Sequence, residues 1–158
     1  MQIGIVSDTH GAADLLLPYL ERQGIEHLFF AGDFYQDGEY LANKLHVSWD
    51  GVAGNCDFGS ESVREKLMKY QGHRILLTHG HKYGVKRDMQ RLLYRAQELQ
   101  ANLVVFGHTH VPLCEQREGI WFINPGSPVY PRLAGHESFA VLQLEKNSLA
   151  ASIVYLYP

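Results

Sequence analysis

Gln2-Ile3-Gly4-Ile5-Val6-Ser7-Asp8-Thr9-His10 sets a pattern that the rest of the chain repeats: a short apolar run, then a polar cluster. Ile3, Ile5 and Val6 lie too close together for a helical period and read as a strand buried in a core. Working outward, residues 27–31 form a second such run, followed by Gly32-Asp33. Residues 47–53 form a third, followed by Gly54-Asn55-Cys56-Asp57. Residues 73–78 lead into His79-Gly80-His81, and residues 103–106 into Gly107-His108-Thr109-His110. Five clusters thus follow five strands.

The remaining elements are local. Residues 65–70 and 73–78 flank Gln71-Gly72 and predict a hairpin. Residues 113–117 with 120–124, and 138–144 with 150–156, predict two more. A helix is expected over 12–23, with Leu15, Leu16, Tyr19 and Leu20 on one side; Pro18 implies a kink or a late start. The strongest helical signal spans 88–100, where Met89, Leu92, Leu93, Ala96 and Leu99 share a face and Asp88 is the expected N-cap. Strand–helix alternation followed by hairpins predicts an α/β fold with mixed sheets.

The chain has 158 residues, of which 46% are apolar and 20% charged, so a disordered or collagen-like chain is excluded. No low-complexity stretch or repeat divides it, and one domain over 1–158 is expected. A formal net charge of -3 argues against a non-specific nucleic-acid binder. No apolar run is long enough to span a bilayer, and residues 1–7 lack the basic flank and long apolar core of a signal peptide. Cys56 and Cys114 cannot form a disulfide framework. The cytoplasm is the expected compartment.

In open α/β sheets the carboxyl ends of parallel strands line one edge, where ligands bind. Five clusters at such ends would therefore converge. They bring together Asp8, Asp33, Asn55 and the histidines at 10, 79, 81, 108 and 110, with Asp57 nearby. Imidazole nitrogens with carboxylate and amide oxygens suit Mn, Fe, Co, Ni or Zn, and the set is too rich in nitrogen for a dedicated Mg or Ca site. Seven or more donors exceed the needs of one tetrahedral ion, whereas two ions about 3.5–4 Å apart would use them all. Each motif alone reads as an ordinary turn; the argument lies in their order and placement. His27, His46, His73 and His136 lack such company and read as surface or structural histidines. Residues 82–87 make a small basic stretch that reads as a solvated loop, with attraction of a substrate anion as the second reading.

Asp-x-His at 8–10, Gly-Asp at 32–33, Gly-Asn-x-Asp at 54–57, Thr-His-Gly-His at 78–81 and Gly-His-Thr-His at 107–110 together resemble the calcineurin-like metallophosphoesterase superfamily. With Asn-Pro-Gly-Ser at 124–127 and the short chain, the resemblance narrows to its small YfcE-type phosphodiesterases. It runs from Ser7 to Ser127. The fold implied is a four-layer sandwich, two mixed β-sheets flanked by helices. The ligand pattern carries over with Asp8, His10 and His110 on one ion, Asp33 bridging, and Asn55, His79 and His108 on the other. The implied cofactors are two divalent ions, Mn first, with Ni, Fe, Co or Zn as alternatives.

The implied reaction is hydrolysis of a small phosphodiester by a hydroxide that bridges the ions, with Asn55 and His79 placing the phosphate. Many superfamily members carry Gly-Asn-His-Asp, whose His protonates the leaving oxygen; here Cys56 stands in that position. A thiol is the poorer proton donor, so acidic leaving groups are expected to be favoured. His81 is expected beside the ligands rather than among them. Asn124-Pro125-Gly126-Ser127 reads as a turn closing the sheet edge, with Arg132 near the distal part of a substrate as the other reading. Two other functions remain open: a phosphomonoesterase or nucleotidase using the same centre, and a catalytically weak scaffold of the same fold, as in a retromer subunit. No sequence-specific nucleic-acid partner is expected, and self-association is open.

Overall fold

All ten runs expected to be strands are strands in the computed structural model, which describes residues 1–58, 62–133 and 135–156. One sheet contains β1 (Gln2–Val6), β2 (His27–Phe30), β3 (Ser48–Gly51), β9 (Ser138–Glu145) and β10 (Ser148–Tyr155), in the order β10-β9-β1-β2-β3. The other contains β4 (Glu65–Tyr70), β5 (His73–Thr78), β6 (Leu103–Val105), β7 (Leu113–Arg117) and β8 (Ile120–Asn124), in the order β4-β5-β6-β8-β7. Each sheet is mixed. β1, β2 and β3 run parallel, as do β5, β6 and β8, and the hairpin strands pair antiparallel at the margins.

Both faces of β1, β2 and β6 are buried, which explains their apolar runs. Ile3, Ile5, Phe29, Ala31, Leu103 and Val105 point into the core between the sheets. Their neighbours face outward: Val6, Leu28 and Phe30 meet α1 (Leu17–Gln23) and α2 (Tyr35–Leu45), while Val104 and Phe106 meet α3 (Gln90–Glu98). Helices, sheet, sheet and helix make four layers, as expected.

Three details depart from the sequence reading. The helix expected over 12–23 is a 3₁₀ turn (Ala13–Leu16) that passes into α1, because Pro18 lacks an N–H and fits only the first α-helical turn. Leu15 is consequently 55% exposed. The N-cap of α3 is Met89, one residue after Asp88, although the Asp88 carboxylate still accepts a hydrogen bond from the Gln90 N–H at 3.0 Å. Finally, α2 had no sequence expectation. Its buried side is only Gly38, Leu41 and Ala42, too sparse a stripe to stand out.

Two histidines expected to be surface or structural are structural. His27 is buried between Ser48 and Asp50, at 2.6 and 3.0 Å, and Tyr70 and Lys66 of β4 reach the same Asp50 carboxylate. This cluster ties one sheet to the other. His73 is likewise buried, bonded to Asn102 and to the Glu145 carbonyl.

Candidate metal centre

Six parallel strands end on the same side of the sandwich, and five of those ends deliver the clusters. Asp8 follows β1, Asp33 follows β2, Asn55 follows β3, His79 follows β5 and His108 follows β6. Asp8, Asp33 and His79 are at most 2% exposed, whereas His10, His108 and His110 are half-buried.

The chain reaches this geometry through unfavourable backbone. Asp8, His10, Asp33, His108 and His110 all adopt positive φ, between 48° and 71°. Each such non-glycine residue costs about 1–2 kcal/mol, and strain of this kind gathers where function requires a particular direction of a side chain. Gly107 solves a different problem. A Cβ there would overlap Ser7 Oγ and stand 2.6 Å from Asp8 Oδ2, so only glycine lets β6 exit against Asp8.

Hydrogen bonds set the histidine tautomers. His79 Nδ1 lies 2.7 Å from the Ala31 carbonyl, which can only accept, so Nδ1 carries the proton. In the neutral ring the bare Nε2 then faces Asn55 Oδ1 at 3.0 Å, Asp33 Oδ1 at 3.4 Å and Asp8 Oδ1 at 3.8 Å. His110 repeats the arrangement, with Nδ1 donating to the Tyr130 carbonyl at 2.7 Å and Nε2 placed 3.2 Å from Asp8 Oδ1. A backbone carbonyl behind one ring nitrogen is how metal-ligating histidines are usually oriented.

The result gathers carboxylate oxygens and imidazole nitrogens around Asp8 and Asp33. Asp8 Oδ1 and His10 Nε2 are buried and have no hydrogen-bond partner among the described residues. Burial alone would raise the Asp8 pKa, but the neighbouring His110, His79 and Ser7 more than offset it and hold the carboxyl below its usual range. Asp8 in turn raises the pKa of His110. Burial and the adjacent His79 push His108 down to about 4, so its imidazole is neutral and available as a ligand at pH 7. A pocket that stabilises carboxylate charge and sets imidazole nitrogens beside it fits a cation.

Ligand atoms of Asp8, His10 and His110 lie within 4.8 Å of one another, as do those of Asp8, Asp33 and His79. Asp8 and Asp33 therefore both stand near the middle. His108 joins through its ring, 5.0 Å from that of His79 between centroids, and its backbone N–H donates to Asp8 Oδ2 at 3.0 Å. Cys56 forms a third group with His10 and Asp33, and its N–H donates to Asp33 Oδ1 at 2.9 Å. Burial and the Asp33 carboxylate push its thiol up to about 11, so it is protonated at neutral pH. His81 stands outside these groups, its ring 5.4 Å from His79 and its buried Nδ1 without a partner among the described residues. Asp57 belongs to the turn instead: its carboxylate accepts from the Tyr35 and Gly54 N–H groups.

The sixth strand end, expected to close the sheet edge as a turn, also braces the centre. At the last residue of β8, Asn124 donates to the Gly107 carbonyl and to Thr109 Oγ1, both at 3.0 Å, and so holds the loop that carries His108 and His110. Ser127 Oγ donates to the Asp8 carbonyl at 2.9 Å. The motif at 124–127 signalled this position; the Tyr130 carbonyl behind His110 had no side-chain signal to find.

A model of the calcineurin-like phosphoesterase superfamily domain matches residues 1–147. The chain belongs to this superfamily. It is 35% identical over 150 residues to the probable metallophosphoesterase YsnB of Bacillus subtilis, covering 94% of this chain and 87% of that one. It is 27% identical over 179 residues to the phosphodiesterase YfcE of Escherichia coli K12, covering 96% and 92% respectively. Among solved structures, a predicted phosphoesterase of Streptococcus pneumoniae TIGR4 superposes with a TM-score of 0.83 at 26% identity, over 99% of this chain and 92% of that one. Vps29 of Entamoeba histolytica shares the fold alone, with a TM-score of 0.79 at 20% identity over 99% and 100%. Family membership implies divalent metal ions and a phosphoester substrate. No helix among the described residues is long and apolar enough to cross a membrane.

Proposed function

We propose that this phosphoesterase hydrolyses small phosphodiesters, using two divalent cations held in a single domain over 1–158. The observation that carries the reading is the convergence of Asp8, His10, Asp33, His79 and His110 around the unpartnered Asp8 Oδ1 and His10 Nε2. Asp8, His10 and His110 would hold one cation, Asn55, His79 and His108 the other, and Asp33 would touch both. Mn is proposed first, with Ni, Fe, Co or Zn as alternatives that the same nitrogen and oxygen donors accept. When bound, the pair supplies Lewis acidity: it lowers the pKa of water from 15.7 to about 7 and neutralises charge building on the phosphoryl oxygens.

The chain's own groups do the rest. Ala31 and Tyr130 fix the protons of His79 and His110 on the nitrogens that face away, which keeps the inner nitrogens available. The Asn55 amide lies at the mouth, exposed, where it can orient a phosphoryl oxygen as well as a cation. Cys56 supplies no efficient proton to a departing alkoxide, which favours ester groups that leave as weak bases. That preference supports diester over alkyl monoester hydrolysis, and the similarity to YfcE agrees with it. The unpaired Cys56 and Cys114 suit a reducing compartment such as the cytoplasm.

The test is hydrolysis of a chromogenic aryl phosphodiester and its matching monoester by the purified protein, with metal content measured before and after chelation. Faster diester turnover that depends on bound metal supports the reading. Faster monoester turnover would make the enzyme a phosphomonoesterase, and bound metal without turnover would make it a scaffold.

A further inference from the structure

Beside the metal centre lies a cleft of about 510 Å³ for which the proposed chemistry has no use so far. Val85, Met89, Phe106, Val111 and Leu113 form its apolar walls. Thr109, the residue between His108 and His110, is part of the same lining, so the cleft and the centre share a wall. Two cations, Lys86 and Arg132, line it as well, next to Leu133. The backbone also ties this lining to a proposed ligand, since the Arg132 N–H donates to the His110 carbonyl at 3.2 Å.

We propose that this cleft receives the organic substituent of the phosphoester, and that the substituent is a flat apolar group of one or two aromatic rings. The proposal rests on the phosphodiesterase reading and names its substrate class. The volume suits such a group, and ligand sites typically pair apolar walls with a few placed charges. Lys86 and Arg132 share the lining with Thr109, where they would meet the anionic oxygens at the base of the substituent. A sugar or short polyol would leave its hydroxyls against Val85, Phe106 and Leu113 without partners.

The experiment separates binding from turnover. Methylphosphonate, phenylphosphonate and naphthylmethylphosphonate are titrated calorimetrically into Mn-loaded and metal-free protein. Affinity is expected to rise at least about tenfold from the methyl to the naphthylmethyl compound. Leu113→Glu and, as a milder change, Val111→Ser should remove most of that gain while leaving the methylphosphonate affinity within about twofold. Equal affinity for all three compounds, or a gain that survives both substitutions, overturns the proposal. In parallel, a bis-aryl diester is compared with the methyl aryl diester of the same leaving group. Hydrolysis of both without a binding gain refutes the cleft and spares the phosphodiesterase reading. A binding gain with no hydrolysis of either supports the cleft and refutes that reading.

Discussion

His110 Nε2 lies 3.2 Å from Asp8 Oδ1, while the other nitrogen of the same ring is tied to a backbone carbonyl. Asp8 comes from the first strand of one sheet and His110 from the loop after the third strand of the other. Their approach is favourable only when something positive lies between or upon them, and that condition generates testable consequences.

Replacing Asp33 should have opposite effects with and without metal. In metal-free protein Asp33→Asn removes one of two carboxylates crowded around bare nitrogens, so its Tm should equal or exceed that of the wild type. In the wild type, a metal at one hundred times its dissociation constant adds about 2.7 kcal/mol of stability. Asp33→Asn and Asp33→Ala should lose that increment along with turnover. Thermal melts with and without Mn, together with metal analysis, check this; a full metal-induced shift in Asp33→Ala would refute the assignment.

Gly107→Ala should damage the centre without touching a ligand. The new methyl would collide with Ser7 Oγ and Asp8 Oδ2, both buried. Overpacking of this kind costs about 1–3 kcal/mol, and here the displaced atom belongs to the pocket. Urea denaturation should show the loss, and metal affinity should fall in the same variant.

Cys56→His should broaden the substrate range. A positioned general acid contributes about 10²–10⁴-fold where the leaving group is a strong base. Rates for alkyl esters should rise by at least about tenfold, and rates for aryl diesters should change little. Parallel kinetics on the two ester classes decide it; equal changes in both would remove Cys56 from any role in leaving-group departure.

The Asp50 cluster makes stability depend on pH. His27 chiefly, then Tyr70 and Lys66, hold the Asp50 carboxyl well below the usual carboxylate range. A depressed folded-state pKa gives stability that is present above the unfolded value of about 3.9 and fades as pH falls below it. Asp50→Asn should therefore cost about 1–3 kcal/mol at pH 7, and the difference from wild type should shrink below pH 4. Denaturation at the two pH values measures it.

Much of this was legible in the chain itself. Runs such as Leu103–Val105 announce strands because both of their faces are buried, and the residue after each run announces the centre. What escaped was of two kinds. Helix α2 buries too few side chains to leave a period. The Ala31 and Tyr130 carbonyls, which set the histidine tautomers, are backbone atoms, and any residue type can provide them. Asn124 and Ser127 stood in a recognisable motif, but their partners lie 17 and 119 residues away, beyond any local reading.

Because the proposed ligands straddle the seam between two separately woven sheets, neither half of the molecule alone could assemble a complete cation shell. Loading would have to await docking of the halves, and a bound ion would then act as a rivet against their parting. Hydrogen exchange along the seam, slowed by metal more than exchange within either sheet, would be its signature.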